Sequence, residues 1–222
     1  MKRFTLFLTA TTLTCSLTFA AENLTDFANA NPADWKTKAF VGETQYSLTE
    51  QDGTTLLKAE AESSASGIIF EEKIDLQKTP YINWQWLIES KLADIDEQSK
   101  EGDDYVARVY VVLDGGLVFW NTKALTYVWS STQQQGTEWD NAYTGDAVRM
   151  VALRGSEAET GQWYNEKRNV YEDLIAQFGD RGSDKANLKK YRYIDATVIM
   201  TDTDNSGGSA TAYYGDIVFT EN

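Results

Sequence analysis

The chain has 222 residues, a formal net charge of −14, no histidine, and a single cysteine, Cys15. Those counts exclude a Ser-His-Asp or Cys-His catalytic set, a zinc site built on His or Cys, and a disulfide framework. The acidic balance also argues against nucleic acid and anionic lipid headgroups as partners, because both repel a surface of the same sign.

The N-terminus has the pattern of a secretory signal. Lys2 and Arg3 give a basic start, residues 4–19 are uncharged and largely apolar, and Ala20 and Ala21 are small enough for cleavage. The expected organisation is a signal peptide over 1–20 and one domain over 21–222, with a periplasmic or secreted address and no transmembrane segment in the mature chain. Cys15 is a poor lipoprotein site, since Thr12 and Thr14 stand where Leu and a small residue are wanted. The sequence sets no oligomeric state.

After a polar lead-in, short strands follow in order. Residues 45–50 and 54–61 flank Gln51-Asp52-Gly53, a hairpin signature. Residues 67–76 form a third run. Residues 81–90 alternate, with Ile82, Trp84, Trp86 and Ile88 on one face and Asn83, Gln85 and Glu89 on the other. An acidic loop over 92–104 leads into a strand over 105–113, which sets Ala107, Val109, Val111 and Leu113 opposite Arg108 and Tyr110. Further strands are predicted at 117–120, 125–130, 148–154, 191–201 and 210–220. One helix is predicted near 169–178: Val170, Leu174 and Phe178 recur at helical spacing, Asn169 suits the N-cap and Gly179 the C-terminal stop. The fold class is therefore all-β, an antiparallel jelly-roll-like β-sandwich with one short helix.

With no His or Cys to work with, a site must be built from oxygen ligands, Arg and aromatic rings. Asp202, Asp204 and Asn205 precede Gly207-Gly208 and set hard oxygens on a turn. That pattern suits a calcium ion, a sugar hydroxyl, or an Asx-turn that caps backbone amides. Asp103 and Asp104 enter a strand together and would repel unless neutralised, with Arg108 as the nearby candidate partner. They mark either a ligand site at the end of the sandwich or a structural Asp–Arg pair. Trp120, Trp139 and Trp163 lie at strand ends or in loops beside polar residues, where exposed rings could stack on sugars. Arg168 is expected to pair with Asp173 or the acidic loops, as architecture.

Several segments together resemble a bacterial exported family known only as domain of unknown function 3047. They are Trp84-Gln85-Trp86, Gly102-Asp103-Asp104 with Arg108, Tyr127-Val128-Trp129, Arg168-Asn169-Val170 with Asp173, Phe178-Gly179, the run 200–205, and Tyr214-Gly215-Asp216-Ile217. The resemblance runs from about Trp35 to Phe219; it implies an envelope address and a sandwich fold, and it assigns no catalytic residues. The closing strand is also similar to the last strand of jelly-roll carbohydrate-binding modules, where an Asp supports a structural calcium; Asp216 holds the corresponding place. The leading expectation is a non-catalytic binder of saccharide or glycoconjugate, using Trp120, Trp139, Trp163, Asp103, Asp104 and Arg108. Asp202, Asp204, Asn205 and Asp216 are candidate calcium ligands. A carboxylate-dependent glycoside hydrolase of the cell envelope and a structural envelope protein with a cationic partner are the alternatives.

Overall fold

The computed structural model describes residues 21–113 and 122–222. The predicted signal segment and the strand predicted at 117–120 lie outside them. In chain order the elements are β1 (Ala21–Asn23), β2 (Lys36–Val41), β3 (Gln45–Gln51), β4 (Thr54–Glu62), β5 (Ala65–Phe70), β6 (Ile74–Asp75), β7 (Tyr81–Ile88), β8 (Ala107–Leu113) and β9 (Lys123–Trp129). Then come β10 (Glu138–Asn141), β11 (Gly145–Arg154), β12 (Tyr164–Asn169), α1 (Val170–Phe178), α2 (Asp184–Tyr191), β13 (Tyr193–Ile194), β14 (Ala196–Asp202), β15 (Ser209–Tyr214) and β16 (Val218–Thr220).

Two curled sheets face one another. One runs β1-β16-β7-β15-β4-β3, with β12 on the other edge of β7; the second runs β10-β11-β9-β8-β14-β5-β2. The core between them is continuous. Trp84, Trp86 and Ile88 of β7 and Tyr214 of β15 meet Val109 and Val111 of β8, Tyr127 and Trp129 of β9, and Ile199 of β14. The alternation read from 81–90 and 105–113 is what makes this possible, because every second side chain of a strand points to the same face. Among the described residues, pairing is antiparallel except between β9 and β11, which run parallel. The predicted hairpin is present: Asp52 and Gly53 both take positive φ, 52° and 77°, as a tight β3–β4 turn requires.

The predicted helix is α1. The Asn169 side chain accepts from the Glu172 amide at 3.2 Å, Glu172 and Asp173 favour the helix N-terminus, and the Gly179 amide closes the last turn on the Ile175 carbonyl. Val170, Leu174 and Phe178 are buried, each worth about 1.5–3 kcal/mol against exposure. The second helix, α2, was not expected. It buries only Asn187 and Tyr191 and carries Lys185, Lys189 and Lys190, so it has no apolar stripe to read. Among the described residues, no helix is long and apolar enough to cross a membrane.

Candidate functional site

The site begins with a register. β8 pairs with β14 so that Arg108 lies opposite Met200, and Asp202, two residues on, shares the face of Met200. That face points away from the main core. Arg108 is 4% exposed, and one of its terminal nitrogens, Nη2, is paired with Asp202 Oδ2 and also lies 3.2 Å from Met200 Sδ. The guanidinium carbon is 5.1 Å from the Tyr105 ring centre and 5.3 Å from that of Tyr110. Arg108 Nε is buried with no hydrogen-bond partner among the described residues. Burial opposes the Arg108 charge most strongly, but Asp202, Tyr110, Asp103 and Tyr105 together outweigh it and hold the group above its ordinary value. The expected partner of Arg108 was Asp103 or Asp104. Its partner is Asp202, 94 residues away in sequence and brought close only by the β8–β14 pairing.

The loop before β8 turns both neighbouring acids inward. Gly102 is required there, because a Cβ would come within 2.4 Å of the Asp96 carbonyl oxygen. Asp103 accepts from Asn141 Nδ2 on both oxygens, at 3.0 Å each, and from the Tyr105 hydroxyl at 3.1 Å. Asp104 accepts from the Asn205 amide at 3.2 Å and the Ser206 amide at 2.6 Å, so it fixes the turn after β14. Carboxylate oxygens of Asp104, Asp202 and Asp204 all lie within 4.8 Å of one another. The loops read separately as 103–104 and 202–205 therefore meet. Asp204 is half-buried; burial, and then the Asp104 charge, push its carboxyl above the ordinary value. Burial also pushes Asp103 up, against the pull of Arg108.

A cavity of about 350 Å³ opens over this floor, with Asp103, Arg108, Asp202, Asp204 and Asn205 among its lining. Its rim carries Phe40, Val41 and Tyr143, exposed by 51%, 49% and 55%. Phe40 sits at the β-bulge between Ala39 and Val41, where β2 slips register against β5. Tyr143 is presented by an Asx turn: Asn141 Oδ1 accepts from the amides of Tyr143 and Thr144, both at 3.1 Å. The Tyr143 hydroxyl donates to the Lys100 carbonyl at 3.0 Å and accepts from Asn205 Nδ2 at 2.7 Å. Neither rim ring was singled out from sequence. Asn141-Ala142-Tyr143-Thr144-Gly145 does carry turn chemistry that could have marked Tyr143; nothing local marks Phe40.

The remaining expected residues fall elsewhere. Trp139 lines no open surface: it is 6% exposed and packs with Tyr105, Val128, Met150 and Ala152. Its ring has no face left for stacking, because β10 lays it onto Met150 of β11. Trp163 is half-buried just before β12 and is not part of the cavity. Trp120 lies outside the described residues. Asp216 does not join the other acids. It accepts from Asn23 Nδ2, the Thr25 hydroxyl and the Phe27 amide at 2.8–3.0 Å, pinning the segment after β1 to the turn before β16. It also borders a polar groove of about 540 Å³ on the opposite sheet, with Asn83, Gln85 and Lys167. Arg168 pairs with Asp173 across the start of α1, as expected.

The chain belongs to the family described as "Protein of unknown function (DUF3047)", whose model matches residues 33–218. No match is found among functionally curated proteins. Among solved structures, it is similar to the cellulose induced protein Cip1 (12% identity, TM-score 0.50, covering 91% of this chain and 97% of that one). It is also similar to a Cel12A cellulase derived from that of Rhodothermus marinus (10%, TM-score 0.44, 91% and 100%). A third is a family 29 carbohydrate-binding module complexed with mannohexaose (7%, TM-score 0.40, 93% and 94%). At these identities the likeness concerns the β-sandwich fold.

Proposed function

We propose that this protein is an exported, non-catalytic saccharide-binding β-sandwich, and that the cavity over β8 and β14 is its binding cleft. One observation carries the reading. Among the described residues four large apolar side chains are exposed, and three of them, Phe40, Val41 and Tyr143, rim a single cavity whose floor is polar. Sugars need that combination, an aromatic surface for the C–H face and fixed polar groups for the hydroxyls. Arg108, Asp204 and Asn205 line the floor and supply the polar groups. The cavity volume lies in the range of about 300–1,000 Å³ usual for small-molecule sites. Calorimetric titration with a panel of oligosaccharides tests the proposal: a saturable heat that Tyr143→Ala abolishes is expected, and a silent panel refutes it. Export is tested by N-terminal sequencing of the secreted or periplasmic protein, which should begin at Ala21.

Hydrolysis has one observation in its favour: Asp103 and Asp204 line the same cavity, and burial raises both carboxyls, as a general acid requires. Against it, both Asp103 oxygens accept from Asn141 and Asp202 is tied to Arg108. No release of reducing ends from a polysaccharide panel is expected.

A further inference from the structure

Resting on the saccharide reading of the cleft, we propose that its ligand is an amphiphilic glycoside, with a neutral sugar at the polar floor and an alkyl or acyl chain along the strands beyond it. The first observation is how the lining divides. Its polar members gather at one end of the sandwich: Asp103 precedes β8, Asn141 and Thr144 flank the β10–β11 turn, and Asp204 and Asn205 follow β14. Two residues further along each strand the same face changes character. Arg108 gives way to Tyr110 on β8, and Asp202 to Met200 on β14. Val148 of β11 continues this apolar wall, and Phe40 and Val41 stand exposed above it. Tyr110 and Val148 are themselves held by packing on Val112, Ala124 and Val198, a cluster apart from the main core. An antiparallel sheet with one face on the core ordinarily turns a polar face outward, so this wall departs from the usual pattern.

The second observation is how little of the polar lining is left to give. Both Asp103 oxygens accept from Asn141, Asp202 is paired with Arg108, and Asn205 Nδ2 donates to the Lys100 carbonyl and the Tyr143 hydroxyl. Polar recognition is thus confined to a small area around Asp204. A free oligosaccharide carries hydroxyls on every side, and those set against Val148 and Met200 would lose water with nothing in return. A wholly apolar ligand would suit the wall and strip water from Asp204 without replacing it. An anionic amphiphile, such as a fatty acid, would place its charge beside Asp202 and Asp204. A neutral glycoside with an apolar chain matches both ends, and the exposed Phe40 and Val41 extend the surface the chain can cover.

The test titrates the full-length protein with methyl, butyl and hexyl glycosides of glucose, galactose and N-acetylglucosamine, beside the oligosaccharide panel, 1-hexanol and hexanoate. For a sugar that binds, affinity is expected to rise about fourfold per added methylene, the worth of one buried CH2 (about 0.8 kcal/mol). Neither 1-hexanol nor hexanoate is expected to bind at the same concentrations. Val148→Asn, which puts an amide in the wall, should weaken the hexyl glycoside by at least about tenfold. Val218→Asn makes the same exchange on β16, outside the cleft, and should leave the dependence on chain length intact. The ligand series on the parent protein decides the matter by itself if Val148→Asn does not fold. Equal affinity for methyl and hexyl glycosides, with oligosaccharides binding, overturns the inference and leaves saccharide binding standing. Binding of 1-hexanol as tight as that of the hexyl glycosides overturns it too, as an apolar site indifferent to sugar. A chain-length dependence that Val218→Asn flattens as fully as Val148→Asn also overturns it, as general surface hydrophobicity. No binding by any glycoside or oligosaccharide overturns both readings.

Discussion

Two of the arginine–carboxylate pairs set against aromatic residues, Arg154–Glu166 and Arg108–Asp202, are built differently. Arg154 meets Glu166 in a fork: Nε donates to Oε1 at 2.6 Å and Nη2 to Oε2 at 3.0 Å. Trp86 Nε1 also donates to Glu166 Oε1 at 2.8 Å, and the Arg154 guanidinium lies 4.3 Å from the Tyr164 ring centre. Arg108 is more deeply buried, yet it reaches Asp202 through one terminal nitrogen and leaves Nε unmet. The first pair is satisfied internally and fixes the packing of β12 on β7. The second is joined through one terminal nitrogen and lines a cavity. Burial of an ion pair does not distinguish architecture from a site; a place in the lining of an open cavity does.

The sharpest way to break this contrast is to remove each arginine. Arg108→Met should destabilise the protein by about 3–5 kcal/mol in urea unfolding, because Asp202 is left buried without its cation, and it should abolish ligand binding. The double variant Arg108→Met with Asp202→Leu should regain most of that stability without regaining binding. Arg154→Met should also destabilise, while ligand affinity stays as in the parent. If Arg154→Met were to lose binding as fully as Arg108→Met, the distinction would collapse.

Smaller effects sharpen it. Phe40→Ala and Tyr143→Ala should each weaken binding by at least about tenfold; Tyr143→Ala should also cost about 1 kcal/mol of stability, because its hydroxyl joins the Lys100 carbonyl to Asn205. The pH dependence of unfolding separates two further carboxylates. Burial pushes Glu97 above its ordinary value of 4.5, although Ser130 and the Ser131 amide donate to it. Its contribution to stability is complete below 4.5 and is lost as pH rises through the higher folded value. The bond from Arg192 holds Asp75 below its ordinary 3.8, so its contribution is present above 3.8 and is lost as pH falls through the folded value. Urea midpoints should therefore rise on mild acidification from neutral pH and fall in stronger acid, and Glu97→Gln should flatten the rise. The smallest shift is expected from calcium. Asp202 is paired and Asp104 caps two amides, so calcium in place of chelator should raise Tm by no more than about 2 °C, measured by calorimetry.

Much of the sandwich was legible in advance. The strict alternation of 81–90 and 105–113, the Asp52-Gly53 turn and the Asn169-to-Gly179 helix are local patterns, and each is satisfied within a few residues of where it is written. The oxygen-rich runs 103–104 and 202–205 were also visible as candidates. The rings were not. Trp139 has the composition of a stacking residue, but the pairing of β10 with β11 turns it inward. Phe40 belongs to a segment with no strand pattern and reaches the rim through a bulge.

By itself, then, the sequence determined an all-β chain whose site chemistry falls to carboxylates, amides, Arg and aromatic rings, because His is absent, Cys15 is the single cysteine, and the strand period is written into the residues. Only the tertiary structure decided which of the many acids meet. Arg108 finds Asp202, and Asp104 finds the 205–206 amides, through strand register set across about half the chain, while Asp216 is drawn to the N-terminal segment instead. Side-chain alternation is local physics; strand pairing is a competition among all strands for one buried interior, and no short run of residues encodes its outcome.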